Sequence, residues 1–393
     1  MKSIERYLPS PIKDVLAPRD IEIPAADANR RGFLARIRAV VENPLEVTVR
    51  LIGVANDAYC RKLATILQAN SLLSRARRGM RQVVVALALV LVAASASAAS
   101  KPISLPGNRV FPESITSTSD GTLYVGSIAN GGVLRVRPHG SPEVWIKPGA
   151  FGTGSIFGVL ADERSNTLWA CSNDVSAMGI IVGSAAAGSS LKGFDLKTGK
   201  GKVSAALPGD KTLCNDIAVG PDGSVFVTNT YAPEVLRLGV GAEQLEVWFT
   251  DPLLQPPTGA GLDGIAFGSD GNLYLDRYTP ADLYRIDVAD GKAGKLTQLH
   301  PSRGLVLADA IRPLDDNTFL LIEGGGSVDI MKITGDIADI ETIKDGYGVP
   351  TGVTQVGPTA WVSEGQLNYI FDPTKKDHKP ALPFRLYSVP IPK

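Results

Sequence analysis

The sequence has few of the side chains that most often build zinc and nucleophilic sites, since its 393 residues include three cysteines and three histidines. Three cysteines exclude a disulfide-rich scaffold and a four-cysteine zinc site. The formal net charge is zero, which argues against a nucleic-acid-binding protein that relies on a basic surface. Hydrophobic residues make up 44% of the chain, so it can bury a core and is not disordered throughout.

Glycine and proline, in contrast, are abundant, with 41 and 27 residues and no collagen-like period. This composition is typical of a chain with many turns and therefore many short strands. The neutral net charge also hides an asymmetry. Residues 1–82 carry 15 basic and 8 acidic residues, whereas the rest of the chain carries 25 basic and 32 acidic residues. The body of the protein is therefore acidic.

A secretory signal is predicted at residues 80–98. Four arginines (Arg75, Arg77, Arg78 and Arg81) precede or begin this segment, the apolar run Val83–Ala94 follows, and Ala96-Ser97-Ala98 matches a cleavage site. Twelve apolar residues are too few to span a bilayer comfortably, and the flanking arginines disfavour a buried core helix. We expect a periplasmic or secreted protein that is not held in the membrane after cleavage.

Residues 1–79 precede Met80, where such a signal would naturally begin. They contain helix-compatible segments but no motif that indicates chemistry, so we expect a helical or disordered leader of uncertain reality and assign it no function. After export, Cys171 and Cys214 would be the remaining thiols. A disulfide between them and a pair of buried free cysteines are equally compatible with the sequence.

The body of the chain contains six copies of one hairpin pattern, in which an apolar strand, a turn and a second apolar strand follow one another. The copies begin at Phe111, Ser155, Leu213, Gly261, Leu307 and Pro350. Equivalent second-strand positions are spaced by 45, 57, 48, 46 and 41 residues, and the longest interval contains a loop-like insertion at Ser176–Ser190. Two further strand-like runs lie between successive hairpins.

Four short strands in every forty-odd residues predict an all-β, six-bladed β-propeller over residues 101–393. Closure into a ring leaves no long exposed edge strand. A sandwich gives no reason for a regular four-strand repeat, and the rungs of a β-solenoid are much shorter.

The first strand of each blade lines the axis of a propeller, so equivalent positions in the six repeats lie at similar heights. Ten residues before each second-strand marker, with a shift of one residue in two repeats, these axial positions are occupied by Glu113, Phe157, Asn215, Asp263, Asp309 and Thr351. Three carboxylates in a narrow, partly desolvated channel require either strongly raised pKa values or a bound cation. Hard oxygen ligands favour one divalent ion, Ca²⁺ first, with Mg²⁺, Mn²⁺ or Zn²⁺ as alternatives.

These residues have two alternative interpretations. Acidic and amide residues are also frequent in turns. Each axial residue, however, directly precedes an apolar run, where a turn-forming residue is not needed. No histidine occupies an axial position, which argues against a histidine-based zinc site or a Ser-His-Asp triad.

The segments E-S-I, N-D-I-A-V-x-x-D-G, D-G-I-A-F-x-x-D-G and D-A-I resemble the senescence marker protein/gluconolactonase/luciferin-regenerating-enzyme-like family, which includes regucalcin. The resemblance implies a six-bladed propeller with one axial divalent metal and hydrolysis of sugar lactones or related esters. It implies that Glu113, Asp263 and Asp309 hold the metal and that Asn215 contacts substrate. The family usually has Asn where this chain has Asp263, and the extra negative charge should strengthen cation binding but weaken the metal as a Lewis acid.

The hypothesis is therefore metal-assisted hydrolysis of a small lactone or ester, with Asp309 as the general base. The alternative is a non-catalytic binding module with a structural metal. The sequence does not favour a quinoprotein oxidoreductase, because the four tryptophans occupy unlike strand positions. Four residues that follow second strands are candidate site walls, but we expect them to be solvated strand ends: Asn229, Arg277, Glu323 and Glu364.

Overall fold

The computed structural model describes residues 101–182, 187–375 and 377–392, so the predicted leader and signal peptide lie outside the described residues. Within these ranges the chain forms six antiparallel blades, and the predicted six-bladed propeller is confirmed. No helix in the described ranges is long and apolar enough to span a membrane.

Strands are numbered in chain order, beginning with β1 at Ile103–Ser104. Blade 1 contains β2 (Pro112–Ser117), β3 (Leu123–Ser127), β4 (Val133–Val136) and β5 (Glu143–Ile146). Blade 2 contains β6 (Ser155–Asp162), β7 (Thr167–Asn173), β8 (Ser189–Asp195) and β9 (Gly201–Ala206). Blade 3 contains β10 (Cys214–Val219), β11 (Val225–Asn229), β12 (Glu234–Leu238) and β13 (Glu246–Thr250).

Blade 4 contains β14 (Leu262–Phe267), β15 (Leu273–Arg277), β16 (Asp282–Ala289) and β17 (Lys292–Gln298). Blade 5 contains β19 (Ala308–Pro313), β20 (Thr318–Glu323), β21 (Ser327–Thr334) and β22 (Ile337–Lys344), with the short parallel strand β18 (His300–Pro301) at its outer edge. Blade 6 contains β23 (Pro350–Val356), β24 (Thr359–Glu364) and β25 (Arg385–Pro390). Its fourth strand is β1, which pairs with β25 and closes the ring.

In the described ranges, helical structure is confined to short turns. The one α-helix of the described ranges, α1, is Asn368–Phe371 in the connection between β24 and β25. The 3₁₀ turns are Ala150–Gly152, Ser176–Met178, Pro252–Leu254 and Pro373–Lys375. The 3₁₀ turn Ser176–Met178 lies in the predicted insertion Ser176–Ser190. Strand β8 begins at Ser189, so the last two residues of the insertion belong to that strand.

Burial falls from the inner strands to the outer strands of each blade. β3, β7, β11 and β15 are buried at every residue, because both faces of each strand pack against a neighbouring blade. Outer strands such as β13 are largely exposed. Each innermost strand lies beside the innermost strand of the next blade, and that of blade 6 returns to that of blade 1. Six innermost strands therefore surround one axis.

Candidate metal centre on the propeller axis

The structure brings together the three carboxylates predicted to converge. Glu113 lies on β2, Asp263 on β14 and Asp309 on β19, and each offers one oxygen within 4.8 Å of the others. All three side chains are buried. Three separate blades therefore deliver negative charge to one point on the axis.

A β-bulge explains how each inner strand turns its axial residue toward the centre. The register of β2 with β3 shifts between Pro112 and Ile115, an interval that contains Glu113. Equivalent shifts enclose the axial residue in the other five blades. A bulge inserts an unpaired residue and re-aims its side chain. The equal sequence offset of the axial residues thus reflects one repeated backbone irregularity.

The residue after Asp263 is Gly264, and close packing of the inner strands requires it. A Cβ at Gly264 would lie 2.3 Å from the Asp309 carbonyl oxygen and 2.5 Å from Oδ2 of Asp276. Any side chain there would push blade 5 away from blade 4. This glycine therefore sets the separation of Asp263 and Asp309.

Hydroxyl groups from neighbouring blades fix the backbone beside two of the carboxylates. Thr228 donates a 2.6 Å hydrogen bond to the carbonyl oxygen of Asp263. Thr351, the axial residue of blade 6, donates a 2.8 Å bond to the carbonyl of Pro112, next to Glu113. Buried hydrogen bonds of this kind are costly to break because the partners cannot turn to water. The positions of the carboxylates are consequently held by side chains that do not touch them.

Asn215 and Phe157 occupy the remaining axial positions. Asn215 donates a 2.9 Å hydrogen bond to Thr230, while its buried Oδ1 has no partner among the residues that the structure describes. Burial raises the pKa of Asp263, and hydrogen bonding from the Asn215 amide partly opposes that rise, so the amide lies beside this carboxyl group. Phe157 packs against Phe371 of α1, with ring centroids 6.5 Å apart. Phe157 is thus the one apolar side chain among the six axial positions.

A buried ion pair between two innermost strands was not expected from the sequence. Arg312 on β19 donates 2.6 Å and 2.8 Å hydrogen bonds to the two oxygens of Asp216 on β10. It also donates to the carbonyl of Ile311 and lies 3.5 Å from Oγ of Ser114 on β2. One guanidinium therefore contacts blades 1, 3 and 5. The sequence signal for this ion pair is a charged residue inside an inner strand that is otherwise mainly apolar.

Asp276 on β15 is a fifth buried carboxylate in this region, also missed. Its Oδ1 accepts a 2.8 Å bond from the backbone N–H of Gly264, and its Oδ2 has no partner within the described ranges. Burial, followed by repulsion from Asp263, raises its pKa well above the usual range. Among the described residues, five buried carboxyl groups and one buried guanidinium therefore lie in this region.

The three converging carboxyl groups carry an electrostatic cost that a cation would offset. Burial raises the pKa of Glu113, Asp263 and Asp309 well above the usual range. Repulsion raises them further, from Asp263 on Glu113 and Asp309, and from Asp216 on Asp263. Oε2 of Glu113 has no hydrogen-bond partner in the described part of the chain. These buried oxygens fit a hard divalent cation.

Tyr278 is a further site residue that was missed. It directly follows Arg277 and is half-buried. Burial, and then the carboxylates of Asp309 and Asp263, raise the pKa of its hydroxyl group, which stays protonated at neutral pH. Tyr278 can therefore donate a hydrogen bond beside the carboxylates.

The four residues considered as site walls have local structural roles. Three of them (Asn229, Arg277 and Glu323) are buried, so the expectation of solvated strand ends was wrong for these three. Each of the four bonds a nearby residue of its own region. The partners are Leu213 for Asn229, Asp282 for Arg277, Arg303 for Glu323 and Gly348 for Glu364.

Cys171 and Cys214 form a disulfide in the structure, with their Cα atoms 5.1 Å apart. Both cysteines are fully buried, and the bond joins β7 of blade 2 to β10 of blade 3. Cys214 directly precedes Asn215, so the cross-link holds one wall of the axial site. Of the two alternatives left open by the sequence, the structure contains the disulfide.

The sequence matches no protein-family model and no curated protein. The structure is similar to the major allergen Mala s 1 of Malassezia sympodialis, with a TM-score of 0.58 and 15% identity over 74% of this chain and 96% of the allergen. It is similar to a gluconolactonase from Xanthomonas campestris, with a TM-score of 0.52 and 14% identity over 76% of this chain and 99% of that protein.

A third similar structure is the PQQ-bound aldose sugar dehydrogenase of Streptomyces coelicolor, with a TM-score of 0.51 and 12% identity over 75% of this chain and 97% of that enzyme. At these identities the comparisons show a shared fold. The gluconolactonase-like fold inferred from the resemblance is thereby supported. Because one propeller architecture carries these different activities, the chemistry has to be argued from the site.

Proposed function

We propose that this protein is an exported, metal-dependent hydrolase of small lactones or related esters. The observation that carries the proposal is the convergence of three buried carboxylates, from three blades, within 4.8 Å of one another. Glu113, Asp263 and Asp309 would hold one divalent cation, with Ca²⁺ favoured by the all-oxygen donors. Similarity to a gluconolactonase fold supports the same reaction class.

When bound, the cation would polarise the substrate carbonyl and stabilise negative charge on its oxygen. Asp309 has two carboxylate oxygens, so one can hold the cation while the other accepts a proton from the attacking water. Asn215, whose buried Oδ1 has no partner among the described residues, orients the substrate. The protonated hydroxyl group of Tyr278 donates a hydrogen bond to a substrate oxygen.

The balanced reaction adds one water to the lactone. The water oxygen bonds to the carbonyl carbon, its proton passes to Asp309, the ring C–O bond breaks, and the proton moves to the departing alkoxide oxygen. The product is a hydroxy acid. Asp309 accepts the proton in the first step and returns it in the second, so one residue serves both proton transfers.

The test combines metal analysis of the purified protein with a panel of lactones and esters, with and without chelator. We expect about one divalent ion per chain and turnover that chelator abolishes. Asp309→Asn should lose turnover but keep the circular dichroism spectrum of the folded protein. Asp316→Asn, at an exposed turn of the same blade, is the matched control and should keep both.

The alternative function is a binding module whose metal ties the blades together. Among the described residues near the axis, five buried carboxylates face one buried arginine. This excess of negative charge means that a bound cation would stabilise the fold whether or not the protein is an enzyme. Melting on chelation, without turnover on any lactone or ester, would support this alternative over the hydrolase.

A further inference from the structure

In each blade, one residue of the second strand lies opposite the β-bulge that turns the axial residue inward. The register of first and second strands shifts at this point in all six blades. The same second strand packs against the innermost strand of the next blade around the ring. We call this residue the bulge-facing residue. In blades 1 to 6 it is Gly126, Cys171, Thr228, Asp276, Ile322 and Ser363.

Two bulge-facing residues donate a hydrogen bond to the axial residue of the next blade. Thr228 of blade 3 donates its 2.6 Å bond to the carbonyl oxygen of Asp263 in blade 4. Ser363 of blade 6 donates a longer bond, 3.4 Å, to the carbonyl oxygen of Glu113 in blade 1. Both hydroxyl groups belong to fully buried residues, so water cannot replace these bonds. In both cases the recipient is a carboxylate residue of the candidate metal centre.

Thr228 also binds the bulge of its own blade, and Asp276 makes the same contact in blade 4. Oγ1 of Thr228 accepts a 3.0 Å bond from the backbone N–H of Asp216, and Oδ1 of Asp276 accepts its 2.8 Å bond from Gly264. Asp216 and Gly264 each directly follow the axial residue of their blade. A bulge interrupts the regular ladder of backbone hydrogen bonds, so these side-chain bonds fix the backbone where it is least constrained.

The second oxygen of Asp276 lies beside the axial residue of blade 5. A Cβ at Gly264 would be 2.5 Å from Oδ2 of Asp276 and 2.3 Å from the carbonyl oxygen of Asp309. These two oxygens therefore border the same small space between blades 4 and 5. Asp276 thus occupies, relative to Asp309, the place that Thr228 occupies relative to Asp263.

The three polar bulge-facing residues precede the three blades that carry the converging carboxylates. The pairs, in ring order, are Ser363 with Glu113, Thr228 with Asp263, and Asp276 with Asp309.

The other three bulge-facing residues precede the blades without a carboxylate at the axial position. Gly126 has no side chain, although a Cβ there would lie 2.7 Å from the carbonyl oxygen of Phe157. Ile322 is apolar and fully buried, and Cys171 is bonded to Cys214. The position therefore faces the next axial backbone in blade 1 as well, where no polar side chain is present. Packing of neighbouring blades alone does not require a polar residue at this position.

Electrostatic repulsion gives a reason for this correspondence. Three buried carboxylates that converge on one point repel one another and push their strands apart. A hydrogen bond to the backbone of each carboxylate residue opposes that movement without occupying the oxygens that a cation would need. Phe157 and Thr351 carry no charge, so their blades need no such bond.

We propose that Thr228, Asp276 and Ser363 are positioning residues of the axial metal site, each holding the carboxylate residue of the following blade through its backbone. The inference rests on the cation site of the proposed hydrolase and adds three residues that act through its ligands.

The clearest test is Thr228→Val, because valine has nearly the shape of threonine and lacks the hydroxyl group. It leaves the carbonyl group of Asp263 unpaired and should lower Ca²⁺ affinity about tenfold in isothermal titration calorimetry, as substitution of residues behind metal ligands commonly does. Thr228→Ser keeps the hydroxyl group and should restore the wild-type affinity. Ser363→Ala removes a longer bond and should lower the affinity less. Substitution of Asp276 is less informative, since it also removes a negative charge.

Ile322→Val is the matched control, because it changes the bulge-facing residue that precedes Thr351. The small cavity it creates should cost some stability and leave Ca²⁺ affinity as in the wild type. Unchanged affinity in Thr228→Val would overturn the positioning role. Equal losses in Thr228→Val and Ile322→Val would also overturn it, because the ring would then respond to any loss of packing.

Crystal structures in chelator test the positioning without a cation. The three carboxylates should keep one oxygen each within 4.8 Å of the others in the wild type, in Thr228→Ser and in Ile322→Val, and should lie further apart in Thr228→Val. Absence of Ca²⁺ binding in the wild type would refute the proposed cation site, and these structures would still decide the positioning role. An unchanged spacing in Thr228→Val would overturn that role whether or not a cation binds.

Discussion

Replacing Arg312 with methionine should destabilise the propeller more than replacing Arg312 and Asp216 together. In the wild type, Asp216 accepts 2.6 Å and 2.8 Å hydrogen bonds from the guanidinium. Without Arg312, its remaining acceptor contact is a 3.4 Å bond from the backbone N–H of Ile265. The single variant therefore leaves a buried carboxylate almost without compensation.

The magnitude follows from that loss. A hydrogen bond to a charged group contributes about 1.5–3 kcal/mol, so two such bonds are worth about 3–6 kcal/mol. Breaking a buried ion pair by removing one partner costs about 3–5 kcal/mol in measured cases. At about 2–4 °C per kcal/mol for a large domain, the melting temperature should fall by roughly 6–20 °C.

The double variant Asp216→Leu/Arg312→Met removes both charges and keeps an apolar volume. Replacing a whole buried ion pair with hydrophobic residues is often neutral or stabilising, so we expect a free energy of unfolding at least about 2 kcal/mol higher than in Arg312→Met. Urea denaturation in the presence of chelator measures all three proteins without a cation in the axial site. A double variant as unstable as the single variant, or a single variant within 1 kcal/mol of wild type (about the size of a typical substitution), would refute the electrostatic argument.

The remaining predictions concern the cation, pH and the backbone. Asp309→Asn should weaken Ca²⁺ binding at least about tenfold, or about 1.4 kcal/mol, in isothermal titration calorimetry; unchanged affinity would show that Asp309 is not a ligand. In chelator, stability should fall as the pH rises above about 4, because carboxyl groups with raised pKa values bind protons in the folded state that the unfolded chain has already released. Excess Ca²⁺ should abolish this fall in stability or turn it into a rise. A melting temperature that rises with pH in chelator would contradict the proposed repulsion among the buried carboxyl groups. Cys171→Ala/Cys214→Ala should lose about 4 kcal/mol, since the disulfide spans 43 residues; a difference that persists when both proteins are reduced would point to packing instead of the cross-link. Gly264→Ala should cost about 1–3 kcal/mol through overpacking against blade 5 and should weaken Ca²⁺ binding at the same time; wild-type stability in thermal denaturation would show that the inner strands can separate freely.

The fold could be predicted because each blade repeats a local signal. A second strand buried on both faces requires a continuous apolar run, and LYVGS and VFVTN show such runs after a turn. The closing strand β1 could not be predicted in this way. It contains two residues, has no periodic pattern of its own, and pairs with Arg385 and Leu386 at the other end of the described chain.

The axial carboxylates could be predicted because equivalent positions of repeats share a height, and one bulge recurs in every inner strand. Arg312 and Asp276 could not be placed by that rule. Arg312 lies three residues further along an inner strand, and Asp276 lies on a second strand, so their approach to the axis depends on how neighbouring blades pack. Tyr278 was overlooked for a related reason, since its position depends on how the chain leaves β15.

The closure of the ring has a consequence for the order in which the molecule assembles. Blade 6 joins the first and last strands of the propeller, and it lies between the blade that carries Glu113 and the blade that carries Asp309. A nascent chain cannot complete this joint until β25 has been synthesised, so the ring that brings Glu113 to Asp263 and Asp309 closes only then. A cation bound by these carboxylates would link the blades on either side of blade 6. Its uptake would therefore show when the ring has closed.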